Sequence, residues 1–140
     1  VITVKVTTEE ISALIRNLQR PQPLMQRIAD HLVASTRARI RTTKTSPDGT
    51  PWRPWAPATA DARTADGSAV FGLLFRTGFL YQSIQASVQG TQVTVFSDAP
   101  YAKHLQQGTT RMPARPFLGI SQGDQDAIMG FVDRYILRTK

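Results

Sequence analysis

The chain has no cysteine. That excludes a disulfide framework and a thiolate metal site, and it suits a reducing compartment. Histidine is nearly as scarce. His31 and His104 are the whole supply, they sit on separate segments, and neither has a partner at helical spacing. A metal centre needs several ligands converging, so no metal and no cofactor is expected. Long apolar runs are missing as well. Val1–Val6 lacks the extended apolar stretch of a secretion signal, and nothing approaches the ~20 residues of a membrane span. The expected address is the cytoplasm, with no membrane contact. Nucleotide fingerprints are absent, both the P-loop and G-x-G-x-x-G. Ser83 and Ser121 stand in no G-x-S-x-G context, and a serine nucleophile needs a base and an orienting acid. Asp48, Asp61, Asp66 and Asp98 all fall in turn contexts, where aspartate serves the backbone. No enzyme is expected.

What is present fits one domain spanning 1–140, long enough for a core without staples. The apolar fraction of 41% and charged fraction of 19% are ordinary for a folded chain. Seventeen Lys and Arg against ten Asp and Glu leave a net charge of +7. An excess of that sign favours nucleic acid, an acidic protein surface or anionic lipid as a partner.

Val1–Val6 is rich in β-branched residues and reads as a strand near a sheet edge. Thr7 with Glu10 forms a capping box that opens a first helix, with Ile11, Leu14, Ile15 and Leu18 on one stripe. Pro21 and Pro23 end it. A longer second helix is expected over Pro23–Arg41, its apolar positions (Met25, Ile28, Ala29, Leu32, Val33, Thr36, Ile40) falling within an arc of about 140°. Arg37, Arg41 and Lys44 lie opposite as a basic stripe. Cations near a helix C-terminus complement the macrodipole, so that stripe has a local explanation beside a phosphate-binding one. Arg39 breaks the pattern on the apolar side and needs either a partner or a frayed helix end.

Thr45–Pro51 is dense turn chemistry, leading to Trp52-Arg53-Pro54-Trp55. Those tryptophans either anchor the loop to the core or form an interface, where Trp and Arg are enriched. A short helix near Thr59 and a tip at Asp66-Gly67-Ser68 follow. Another short helix starts at Thr77 or Gly78. Ile84–Gln89 and Gln92–Ser97 alternate in period two around Gly90-Thr91, the clearest hairpin in the chain. A short helix covers Tyr101–Gln107, and Ser121 with Asp124 caps a final helix. The fold class is α+β: a small antiparallel sheet with helices packed on one face, a long second helix and a C-terminal helix.

The most constrained stretch is Tyr101–Gly119. It breaks at Gly108, passes a basic loop, and ends in Pro113-Ala114-Arg115-Pro116-Phe117-Leu118-Gly119, where proline forbids helix. So many constraints with so few reactive groups indicate a docking surface or a chain crossing a subunit boundary. Ser46-Pro47-Asp48-Gly49-Thr50-Pro51-Trp52, then Leu74–Ile84 with Thr77-Gly78-Phe79-Leu80-Tyr81-Gln82-Ser83-Ile84, then Tyr101-Ala102 leading to Gln107-Gly108, and finally the Pro113–Gly119 run occur in this order. In that order and spacing the chain resembles the phage virion morphogenesis family, the tail completion or head–tail joining proteins of contractile-tailed phages and Mu-like prophages. It departs at Leu105-Gln106-Gln107, where similar proteins carry His, Gln and an aromatic before the glycine. The resemblance implies a non-enzymatic structural protein acting in the host cytoplasm during assembly and then in the virion, as a ring at the head–tail junction. It implies as partners further copies of the chain, tail tube or terminator proteins, and head connector proteins. A ring needs two different patches per subunit. One is expected from Tyr101, Arg111, Arg115 and Phe117, the other from the Trp52–Trp55 loop or the stripe Arg37, Arg41 and Lys44. That stripe, facing a lumen, would attract duplex DNA without sequence preference. The alternative is a basic nucleic-acid-binding module.

Overall fold

The computed structural model describes residues 2–6, 22–67, 72–74, 78–90 and 92–139, with side chains over 22–67, 72–74, 78–90 and 92–135. The expected first helix, with Ile11, Leu14, Ile15 and Leu18, lies outside the described residues, as do Ser68, Arg76, Thr77 and Thr91 of the turns.

The elements run β1 (Ile2–Val6), α1 (Gln22–Ala38), a wide π-type turn (Arg39–Thr43), α2 (Pro57–Ala65), α3 (Phe79–Gln82), β2 (Ile84–Gln89), β3 (Gln92–Ser97), α4 (Ala102–Gln107) and α5 (Gln122–Thr139). The strands form one antiparallel sheet in the order β1-β3-β2, so β1 is an edge strand. Ile84 pairs with Ser97, Ala86 with Val95 and Val88 with Val93. The side chains of β2 and β3 in these pairs lie on one face of the pleat, and on that face Ile84, Val93, Val95 and Ser97 are buried. Gln85, Ser87 and Gln89 point the other way and are exposed. The class is α+β, with helices on one face of a small antiparallel sheet and long α1 and α5.

Helix α1 lies on β2 and β3, and α5 packs on α1. The spacing of Leu24, Met25, Ile28, Ala29 and Leu32 is what puts one stripe of α1 in the core. Ile128 and Val132 answer it from α5. Each Leu, Ile, Met or Val among them, fully buried, contributes about 1.5–3 kcal/mol from area removed from water. His31 meets Phe131 edge-on at 5.6 Å, and the Arg27 guanidinium covers the same ring at 4.8 Å. At the sheet end, the buried hydroxyls of Ser83 and Ser97 share a 2.7 Å hydrogen bond, and Ser97 also accepts from the Ala99 N–H. That satisfies polar atoms which water cannot reach.

The end of α1 departs from a straight helix. The Lys44 N–H donates to the Arg39 carbonyl, one residue further back than an α-helical bond. Lys44 itself is left-handed, with φ 55°. The widened turn carries Arg39 and Ile40 inward, where both are buried.

Candidate functional site

The run Pro113–Gly119 has almost no regular structure of its own. Its backbone groups still need partners, and the rest of the chain supplies them. The Arg115 N–H donates to the Leu105 carbonyl at 2.7 Å. The Gln106 side chain closes a fork: its carbonyl oxygen accepts from the Phe117 and Leu118 N–H groups, at 3.1 and 3.0 Å, while its amide donates to the Leu118 carbonyl at 3.0 Å. Arg39 donates to the Phe117 carbonyl at 2.6 Å. Trp52 Nε1 donates to the Pro116 carbonyl at 2.8 Å. The Arg115 guanidinium reaches back to the Arg53 and Pro54 carbonyls at 2.8 and 3.0 Å.

Glycines allow the close approaches in this frame. A Cβ on Gly108, whose φ is +77°, would sit 2.7 Å from the Ala114 nitrogen. One on Gly119 would sit 2.6 Å from Cγ of Pro47. The turn around Pro47 and Trp52, the end of α4 and the Pro113–Gly119 run are thus one interlocked unit. The tight contacts fall on the residues that carry the family resemblance.

A second junction ties this frame to the helices. Asp124 closes a capping box with Ser121: the Asp124 N–H donates to Ser121 Oγ and the Ser121 N–H to Asp124 Oδ2, both at 3.0 Å. The same carboxylate meets His31 Nε2 at 3.0 Å and Arg39 Nη2 at 3.3 Å. Burial acts to raise the Asp124 carboxyl, but hydrogen bonds from Ser35, Ser121 and His31 outweigh it and hold it below the usual carboxylate range. Burial lowers the Arg39 guanidinium, and Asp124 offsets part of that. Arg39 therefore has the partner its apolar-side position called for.

Of the residues expected to make subunit contacts, Trp52, Arg115 and Phe117 are inside the chain, at 6%, 6% and 0% exposure. Within the chain the Trp52 indole and Arg115 guanidinium staple the loop, and the Phe117 ring fills the core. Burial also lowers the Arg115 guanidinium from its ordinary value. Trp55, Tyr101 and Arg111 behave differently. The structure brings them together as lining of one groove of about 550 Å³. Its walls come from α2, Gly72 and Leu74, α3, the start of α4, and the loop Arg111–Arg115. Phe79 and Tyr101 stand at 52% and 42% exposure with their rings 6.3 Å apart. The floor is apolar (Leu74, Leu80, Leu105, Met112), and among the described residues the charged ones lining the groove are all arginines: Arg63, Arg111 and Arg115.

Of the stripe Arg37, Arg41 and Lys44, Arg41 is exposed and the other two are half-buried. Lys44 turns inward and donates to the Ile40 and Leu73 carbonyls. Burial, and then Arg41, lower its ammonium to about 8. Arg37 is half-buried, donates to the Ile84 carbonyl at 3.1 Å, and lies 5.7 Å from the Tyr81 ring centre, with Arg41 at 5.9 Å. Arg37 and Arg41 thus share the Tyr81 ring, and it is Lys44, left-handed after the π-type turn, that turns in.

Sequence reasoning missed Gln106 and the hub role of Asp124. The Ser121–Asp124 spacing signalled the cap but not its link to Arg39. Among the described residues no group of His, Asp or Glu is placed to hold a metal ion, and no helix is long and apolar enough to cross a membrane. No curated protein and no solved structure matches the chain. A family model does, over residues 2–137. The match spans nearly the whole sequence, and the chain belongs to the phage virion morphogenesis family.

Proposed function

We propose that this chain is a non-enzymatic assembly protein that completes the phage tail or joins it to the head, and that it works as a ring at the tail–capsid junction. The observation that carries this reading is the frame around Pro113–Gly119. It spends its arginines, tryptophan and glycines on rigidity, and it presents a concave, arginine-bordered apolar surface. A rigid scaffold holding a docking surface is what a joining protein needs, because preorganised loops lose less entropy on association. Membership of the phage virion morphogenesis family supports it. The partners in this reading are further copies of the chain, tail tube or terminator proteins, and head connector proteins.

The test is location. Purified virions probed with a labelled antibody against the chain should carry it at the head–tail junction and nowhere along the tail or shell. Virions without the chain would overturn the reading. A second reading, a basic nucleic-acid-binding module, is favoured by the net charge of +7. It requires the isolated protein to bind duplex DNA with an affinity that falls steeply as salt rises.

A further inference from the structure

The groove and one face of α5 are complementary. On α5, Gln122, Asp126, Met129 and Asp133 fall within a narrow arc at 100° per residue, and all four are exposed. Met129, at 41% exposure, is the large apolar side chain of that arc. Asp126 and Asp133 flank it, about 10 Å apart along the axis. Neither has an ion-pair partner among the described residues. Gly130 beside them would meet nothing within 4 Å even with a Cβ, so a neighbouring surface can approach the backbone there.

The groove has the opposite character. Its floor is apolar, and among the described residues Arg63 and Arg111 border it without an ion-pair partner and no Asp or Glu lines it. None of the described side chains of α5 lines the groove, so one copy presents both surfaces at separate places. The geometry points to a head-to-tail contact between copies: the Asp126–Met129–Asp133 face of α5 seats in the groove of the next chain. Met129 lies against the exposed Phe79–Tyr101 pair, and the aspartates meet Arg63 and Arg111.

A second copy suits this groove better than duplex DNA, because aliphatic and aromatic walls match a methionine and not a row of phosphates. The contact is heterologous, so repeating it gives a closed ring or an open filament. The inference rests on the ring reading above and names the surfaces that would build it. The two-sided design also explains how a chain of charge +7 can self-associate: the acidic arc is where like-charge repulsion between copies is locally reversed.

The absence of cysteine makes the test clean. Thr59 is exposed on α2 and lines the groove. Thr59→Cys and Met129→Cys chains, mixed and treated with a short bis-thiol cross-linker, should give a mixed dimer, while each alone gives little. The double variant should give a ladder of multimers. Arg111→Asp should cut the yield about tenfold or more, since like charges then face each other, and Asp126→Arg on the partner should restore it. Restoration separates a lost contact from a misfolded chain. The same ladder should form in virions carrying the double variant.

Mixed yields no higher than those of a Gly49→Cys control, both in solution and in virions, would overturn the contact. So would symmetric dimers of Thr59→Cys alone, or a ladder that forms only on added duplex DNA or through a different protein. If virions hold the chain but show no ladder, this contact fails and the assembly reading stands. If virions lack the chain, the assembly reading itself fails.

Discussion

The indole of Trp52 donates to the carbonyl of Pro116, 64 residues further along, at 2.8 Å. That bond joins the two proline-rich loops of the chain, and with Arg115 on the Arg53 and Pro54 carbonyls it fixes one against the other. Trp55, three residues on, serves a different purpose as a half-buried wall of the groove. Trp52→Ala should therefore cost about 3–5 kcal/mol of stability, the range for emptying a large buried aromatic site. Trp55→Ala should cost much less while weakening association of copies. Urea unfolding read alongside solution mass separates the two.

Gly108 and Gly49 both have positive φ, at +77° and +90°, yet their surroundings differ. A methyl at Gly49 meets open space, whereas one at Gly108 meets backbone at 2.7 Å. Gly49→Ala should cost the left-handed conformational penalty of roughly 1–2 kcal/mol. Gly108→Ala should cost that plus an overpacking penalty of about 1–3 kcal/mol, because backbone cannot swing aside. Thermal unfolding of the pair measures the difference directly.

Asp124, 3% exposed, holds His31, Arg39 and the start of α5 together. Removing it strands a buried guanidinium, so Asp124→Ala should destabilise by about 3–5 kcal/mol. Its carboxyl titrates lower in the folded chain than the unfolded value of about 3.9. Between those values the unfolded chain holds the extra proton, so Asp124 contributes stability that is present above pH ~4 and is lost as pH falls through the folded value. The acid limb of a stability–pH curve should be shallower for Asp124→Asn than for the parent.

Lys44 acts in the same direction in an alkaline window. Its ammonium titrates at about 8 when folded and near 10.4 when unfolded. Between those values the unfolded chain again binds the extra proton, so the Lys44 contribution rises with pH across that window and is flat below it. Lys44→Met should remove that rise. Denaturant midpoints at pH 7, 8, 9 and 10 would show it.

The sequence revealed much of the fold, and each success has a local cause. Period-two alternation marked β2 and β3 because one face of each is buried, and Ser121 with Asp124 marked the start of α5 because a cap is a contact between near neighbours. Arg39 stood out because a guanidinium on an apolar stripe demands a partner, though the partner's identity, Asp124, was a tertiary fact. Trp52, Arg115 and Phe117 read two ways for a physical reason. Large rings and forked donors suit a protein interface, and they equally suit a loop whose carbonyls must be satisfied from within the same chain. The groove was illegible because its walls come from separate segments that only folding brings together.

The most direct test of the account is electron microscopy of particles made with and without this chain. Without it, heads and tails should accumulate separately, or tails should be incomplete, and supplying the chain in trans should restore joined virions. Normal numbers of intact, joined virions in its absence would contradict the account.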